Sequence, residues 1–81
     1  MNVFYAPEFK QALKLCSREI KRKLYKQVDN LVEDLRYPSL HAKKYDEERD
    51  IWQARVDRNY RFYFYIDGDA YVLLDICAHP K

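Results

Sequence analysis

The sequence predicts a small α+β protein, with a helical N-terminal half packed on an antiparallel sheet. Three observations carry the prediction. Apolar residues recur at helical spacing from Phe9 to Leu35, and they alternate from Trp52 to His79. Between the two regimes lie Pro38 and a mostly charged stretch. Eighty-one residues, 48% of them hydrophobic and only one a glycine, are expected to form one domain over 1–81.

The elements follow in order. Asn2 to Tyr5 reads as a short strand. Pro7 suits a first helical position, where its missing N–H costs nothing, and Glu8 favours the positive end of the dipole. Phe9, Leu13, Cys16 and Ile20, then Leu24, Val28, Leu31 and Leu35, form one apolar stripe. Ser17 is a potential N-cap that would divide the stretch into a helical hairpin, with the second helix near Arg18 to Leu35. One continuous helix has the same periodicity. Pro38 ends the helical region, because the residue before a proline is biased to extended geometry. His41 to Asp50 has no clean period and reads as a loop.

Three strands then form a meander, at Trp52 to Val56, Arg61 to Ile66 and Tyr71 to His79. Asp67-Gly68 predicts a type I′ hairpin turn. Asp57 to Asn59 predicts a three-residue turn, with Asn59 in the left-handed region.

Several function classes are disfavoured. No apolar run reaches the roughly 20 residues of a membrane span. Met1 to Phe9 lacks the charged and apolar regions of a secretory signal. Cys16 and Cys77 do not resemble a disulfide framework, so the reducing cytoplasm is the expected compartment. No CxxC, HxxxH or carboxylate cluster has metal-ligand spacing, and a single glycine cannot build a phosphate-binding loop. No metal and no cofactor are expected. The net charge of +2 gives only modest global attraction to a polyanion. Lys10, Lys14, Arg18, Arg22 and Lys26 recur every four residues, which suits a solvated helix face.

Alternation assigns the sheet faces. Trp52, Ala54, Val56, Phe62, Phe64, Ile66, Val72, Leu74 and Ile76 are expected against the helices. Gln53, Arg55, Arg61, Tyr63, Tyr65, Tyr71, Asp75, Cys77 and His79 are expected on the outer face. Arginines among tyrosines suit RNA, since guanidinium groups bind phosphate bidentately and aromatic rings stack on bases. Tyrosine also favours strands without any ligand.

The stretch from Pro38 to His79 resembles the RelE/ParE superfamily of toxin–antitoxin toxins. The residues that carry the resemblance are Pro38 to Lys44, Asp50-Ile51-Trp52-Gln53-Ala54-Arg55-Val56, Asn59-Tyr60-Arg61-Phe62 and Val72 to His79. It implies a compact microbial RNase-like fold. It also implies a type II toxin that cleaves mRNA on the ribosome, or a ParE-like inhibitor of DNA gyrase, in either case neutralised by a cognate antitoxin. A degenerate interaction module is the third reading. Under the ribonuclease reading RNA supplies its own nucleophile, the 2′-OH, so no metal is needed. Arg61 matches the superfamily's functional arginine after tyrosine, and Arg55 would hold the scissile phosphate. His79 is the acid–base candidate, because imidazole titrates near neutral pH. Lys43 and Lys44 would position backbone or ribosomal RNA, with Gln53, Tyr63 and Tyr65 contacting RNA. Competing roles are an Arg61–Asp75 ion pair and, for His79, a frayed end.

Overall fold

A computed structural model describes residues 1–79. Its elements are β1 (Asn2–Tyr5), α1 (Pro7–Lys14), α2 (Arg18–Glu33), a 3-10 turn (Pro38–Leu40), β2 (Lys43–Asp46), β3 (Ile51–Arg55), β4 (Tyr60–Asp67) and β5 (Ala70–Ala78).

The helical region is a hairpin. Pro7 opens α1, and the backbone N–H groups of Leu15 and Cys16 close it on the carbonyls of Ala12 and Leu13. Ser17 Oγ accepts the Ile20 N–H at 3.2 Å and starts α2. That helix stops at Glu33, two residues before the expected Leu35. Asp34 is extended, and its carboxylate accepts the Arg36 N–H at 2.9 Å, which turns the chain out of the helix. Phe9, Leu13, Ile20, Leu24, Val28 and Leu31 are buried, while Cys16 and Leu35 pack at the margin. Lys10, Lys14, Arg18, Arg22 and Lys26 are all exposed.

The helices cover a five-stranded sheet in the order β1-β5-β4-β3-β2. The meander of β3, β4 and β5 is antiparallel, but β1 runs parallel to β5, so the sheet is mixed. The segment read as a loop contains β2, which pairs Lys43 with Gln53 and Lys44 with Trp52. Its side chains hold it without much apolar burial. Tyr45 packs edge-on to Tyr63 at 4.9 Å, and the Lys44 ammonium lies 5.3 Å from the Trp52 ring centroid.

Both turns differ from expectation. Asp67 pairs with Ala70, which leaves Gly68 and Asp69 as the loop. Of these only Gly68 has positive φ, at 59°. A type I′ turn needs it at both positions; glycine first is the type II′ pattern. At Asp57 to Asn59 the work is done by the aspartate. Its carboxylate accepts the N–H groups of Asn59 and Tyr60 at 2.8 and 2.9 Å, so Asn59 needs no left-handed backbone and has none.

The register carries one further correction. Tyr63 pairs with Asp75 and Phe64 with Leu73, so Leu74 is the extra residue of a β-bulge. A one-residue insertion moves every side chain on one side of it to the other face. Tyr71 and Leu73 therefore join the helix-facing core, with Tyr71 edge-on to Phe64 at 5.6 Å. Leu74 and Val72, expected inside, turn to the outer face. Ile66 shares the Phe64 face but lies beyond the helices and is 39% exposed. Ala54, Val56, Phe62, Phe64 and Ile76 pack against the helices as expected.

Candidate functional site

Strand alternation sets Lys43, Gln53, Arg55 and Arg61 on the outer face. His41 immediately precedes this edge of the sheet, and His79 follows β5. These six residues and two alanines line one cavity of about 410 Å³. Five of its side chains are basic and none is acidic, in a chain with 13 acids against 15 lysines and arginines.

The two arginines form the centre. Arg55 and Arg61 are directly opposed across β3 and β4. Like charges in such a pair destabilise a sheet. No carboxylate forms a salt bridge with either among the described residues. Arg61 is only 7% exposed. Its Nη1 donates to the carbonyls of Asp57, Arg58 and Tyr60 at 2.9, 3.2 and 3.1 Å. Its Nε and Nη2 have no hydrogen-bond partner among the described residues, and the side chain lines the cavity. The Arg61–Asp75 ion pair is not formed. Asp75 instead accepts the Ile76 N–H at 2.8 Å.

The turn that grips Arg61 is itself anchored. Lys23 of α2 reaches Asp57 at 3.2 Å and Glu19 at 3.4 Å. Burial acts to raise the Asp57 carboxyl, but the Asn59 N–H, Lys23 and the Tyr60 N–H outweigh it and hold it below its ordinary value. The His79 N–H donates to Asn59 O at 2.6 Å, which continues the β5 ladder onto the same turn. His79 is thus exposed but tied, not frayed.

Gln27 fixes the opposite rim. This buried α2 residue donates to Arg55 O at 2.9 Å and to Ser39 O at 3.2 Å. It accepts from Ser39 Oγ at 3.0 Å and from Asn30 at 2.8 Å. One side chain therefore locks the end of β3 to the turn that delivers His41. His41 has a left-handed backbone (φ 46°) and an exposed imidazole. Sequence reasoning passed over it, because it lies where no periodicity assigns a face.

The remaining candidates divide. Gln53 donates to the Tyr63 hydroxyl at 3.1 Å, so Tyr63 borders the cavity. Burial raises the Tyr63 phenol, partly offset by that hydrogen bond. Tyr65 lies two residues further along β4, opposite Val72, and does not line the cavity. Lys44 faces the other way. Its ammonium binds Asp50 at 2.8 Å, which raises its pKa, and it sits over Trp52. Lys43 and Lys44, adjacent in a strand, cannot serve one surface.

No group of three histidine, cysteine or carboxylate side chains among the described residues could hold a metal ion. No described helix is long and apolar enough to cross a membrane.

No family model matches the chain, and no curated protein matches it in sequence. Solved structures match it in shape. A YoeB/ParE toxin from Agrobacterium tumefaciens superposes with a TM-score of 0.81 at 10% identity, covering 99% of this chain and 100% of that one. YafQ from E. coli gives 0.79 at 13% identity, covering 96% and 92%. The RelB-RelE antitoxin-toxin complex from Methanococcus jannaschii gives 0.75 at 17% identity, covering 93% and 88%. The chain has the fold of these toxins, as the resemblance implied.

Proposed function

We propose that this protein is the toxin of a type II toxin–antitoxin pair and acts in the cytoplasm as a ribosome-dependent, metal-independent endoribonuclease on mRNA. The opposed Arg55–Arg61 pair in an acid-free cavity, with an imidazole on each flanking segment, carries the reading. Two guanidinium groups held together without a counterion fit a bound phosphodiester. The solved structures of like fold are toxins, and several are complexes with an antitoxin.

The chemistry follows from RNA itself. The 2′-oxygen attacks the adjacent phosphorus, and the bond from phosphorus to the 5′-oxygen breaks. One imidazole takes the 2′-OH proton and the other protonates the leaving oxygen, which yields a 2′,3′-cyclic phosphate and a 5′-hydroxyl. His79 and His41 are the two imidazoles at hand. Arg61 stabilises the charge that builds on the phosphorane-like transition state, Arg55 holds the phosphate, and Lys43 and Gln53 orient the strand. Removing one preorganised donor of this kind costs on the order of 10²–10³ in rate. β1 and β2 are the sheet edges, and their unpaired backbone groups suit addition of an antitoxin segment.

Primer extension on an mRNA in a cell-free bacterial translation reaction tests the proposal, with wild type, Arg55→Gln and Arg61→Ala. Cuts that need translating ribosomes and vanish in both variants are expected. No cuts at protein concentrations above those of the ribosomes would overturn it. A gyrase supercoiling assay would then separate a ParE-like inhibitor from a non-catalytic interaction module.

A further inference from the structure

Gln27 is an exception in the stripe it occupies. Its neighbours on that face of α2, Leu24, Val28 and Leu31, are buried and apolar, and Gln27 is itself only 7% exposed. A side-chain amide has two N–H donors and an oxygen with two lone pairs. All four positions are used. Nε2 donates to the carbonyls of Arg55 and Ser39, and Oε1 accepts from Ser39 Oγ and Asn30 Nδ2. An apolar residue would continue the stripe without any of these bonds. The polar one ties together two segments that each carry a side chain of the cationic cavity: Arg55 itself, and His41, which follows Ser39 by two residues.

A larger cavity, of about 580 Å³, lies on the helix side of the same rim. It shares His41 and Arg55, and no other described residue, with the cationic cavity. Those two side chains therefore form the ridge between the cavities, and Gln27 lies behind the ridge in the wall of the larger one. His41 also holds a left-handed backbone, which among the described residues occurs otherwise only at Asp50 and Gly68. A non-glycine residue strained in this way persists only where its surroundings over-determine it. Leu40, fully buried, fixes the chain just before His41, and Gln27 fixes Ser39 before that.

The other half of the cationic cavity is held from the same helix by a different side chain. Lys23, one turn before Gln27 on α2, binds Asp57, whose turn grips Arg61 and accepts the His79 N–H at Asn59 O. We propose that Gln27 is a positioning residue of the ribonuclease proposed above: it aims Arg55 and His41 at the phosphate, as the Lys23–Asp57 turn aims Arg61 and His79. The inference rests on that reading for the phosphate, but on the hydrogen bonds of Gln27 for the division of the site into two halves. Held from one rigid helix, the halves keep a fixed separation. A displacement of about 1 Å in such a group can cost on the order of 10²-fold in rate.

The test is NMR titration of wild type and Gln27→Leu with inorganic phosphate, below the melting temperature of the variant. The signals read are the Nε–H groups of Arg55 and Arg61 and the imidazole carbons of His41 and His79. In wild type all four should shift with one midpoint. In Gln27→Leu the Arg61 and His79 shifts should persist, the Arg55 and His41 shifts should be lost, and the midpoint should rise roughly tenfold. Cleavage on ribosomes should fall by about 10²-fold. Ser39→Ala removes one of the four hydrogen bonds. It should weaken the His41 shift and leave that of Arg55 unchanged, and it decides the matter should Gln27→Leu fail to fold. Four shifts that all survive Gln27→Leu, or that vanish together in the folded variant, would overturn this inference alone, as would a His41 shift that Ser39→Ala leaves unchanged. No shift of any of the four in wild type would overturn the phosphate site and this inference with it.

Discussion

Arg55→Gln should make the protein more stable and less active. Arg55 faces Arg61 with no carboxylate between them among the described residues, and its side chain makes no hydrogen bond there. Only its backbone carbonyl is used, by Gln27, and the substitution leaves that bond alone. Glutamine keeps two of the methylenes that pack on the sheet and removes the charge. A directly opposed like-charge pair costs about 0.2–1 kcal/mol, so relief of about 0.5 kcal/mol is expected. Unfolding entropy near ~2.1 cal/mol/K per residue gives about 0.17 kcal/mol/K for 81 residues. The melting temperature should then rise by roughly 3 °C in low salt. The gain should shrink in 1 M salt, where the screening length falls to about 3 Å. The assays are calorimetry at two ionic strengths and RNA cleavage on ribosomes. A fall in stability of more than about 1 kcal/mol, the range of a lost net hydrogen bond, would refute the reasoning and make Arg55 a structural residue. Equal activity would refute its role at the phosphate.

Two other expectations follow from the same framework. Gln27→Leu removes four hydrogen bonds at one buried point and strands the carbonyls of Ser39 and Arg55. A loss of about 2–4 kcal/mol is expected, or a melting temperature lower by roughly 12–24 °C, measured by thermal circular dichroism against a Ser39→Ala control near 1 kcal/mol. Asp57 has a folded-state pKa lowered from its ordinary 3.8, despite burial, by the Asn59 N–H, Lys23 and the Tyr60 N–H. Its contribution is therefore present above pH 3.8 and is lost as pH falls through the lowered folded value. Melting curves from pH 6 down to pH 2 should show Asp57→Asn flattening the acid limb; an unchanged limb would refute the assignment.

Much of this was legible because the relevant patterns are periodic. The stripe from Phe9 to Leu35 and the Pro7 and Ser17 signals marked both helices, and alternation placed Gln53, Arg55 and Arg61 on one face. The strand β2 was not legible. Lys43-Lys44-Tyr45-Asp46 has no apolar alternation, since an edge strand this short is held by a ring contact and a cation over Trp52. The bulge was hidden for a different reason. Val72, Leu73 and Leu74 are all apolar, so either register satisfies a period of two, and no polar side chain reports the shift before Asp75. Lys44 was misplaced as a direct result, for a loop lets two adjacent lysines share a surface and a strand does not. His41 could not be assigned to any face until the Gln27 hydrogen bonds fixed the turn before it.

The parallel pairing of β1 with β5 has a consequence for synthesis. Asn2 aligns with Ala70, so the first strand made waits for the last before it has a neighbour. Until then the apolar stripe of both helices lacks the central part of its sheet, and this topology of distant contacts folds slowly. The cationic cavity is equally late. The turn that grips Arg61 is closed by His79, which follows the final strand. A growing chain therefore carries the arginines without the geometry that aims them, and the cationic face is withheld until translation has passed Ala78.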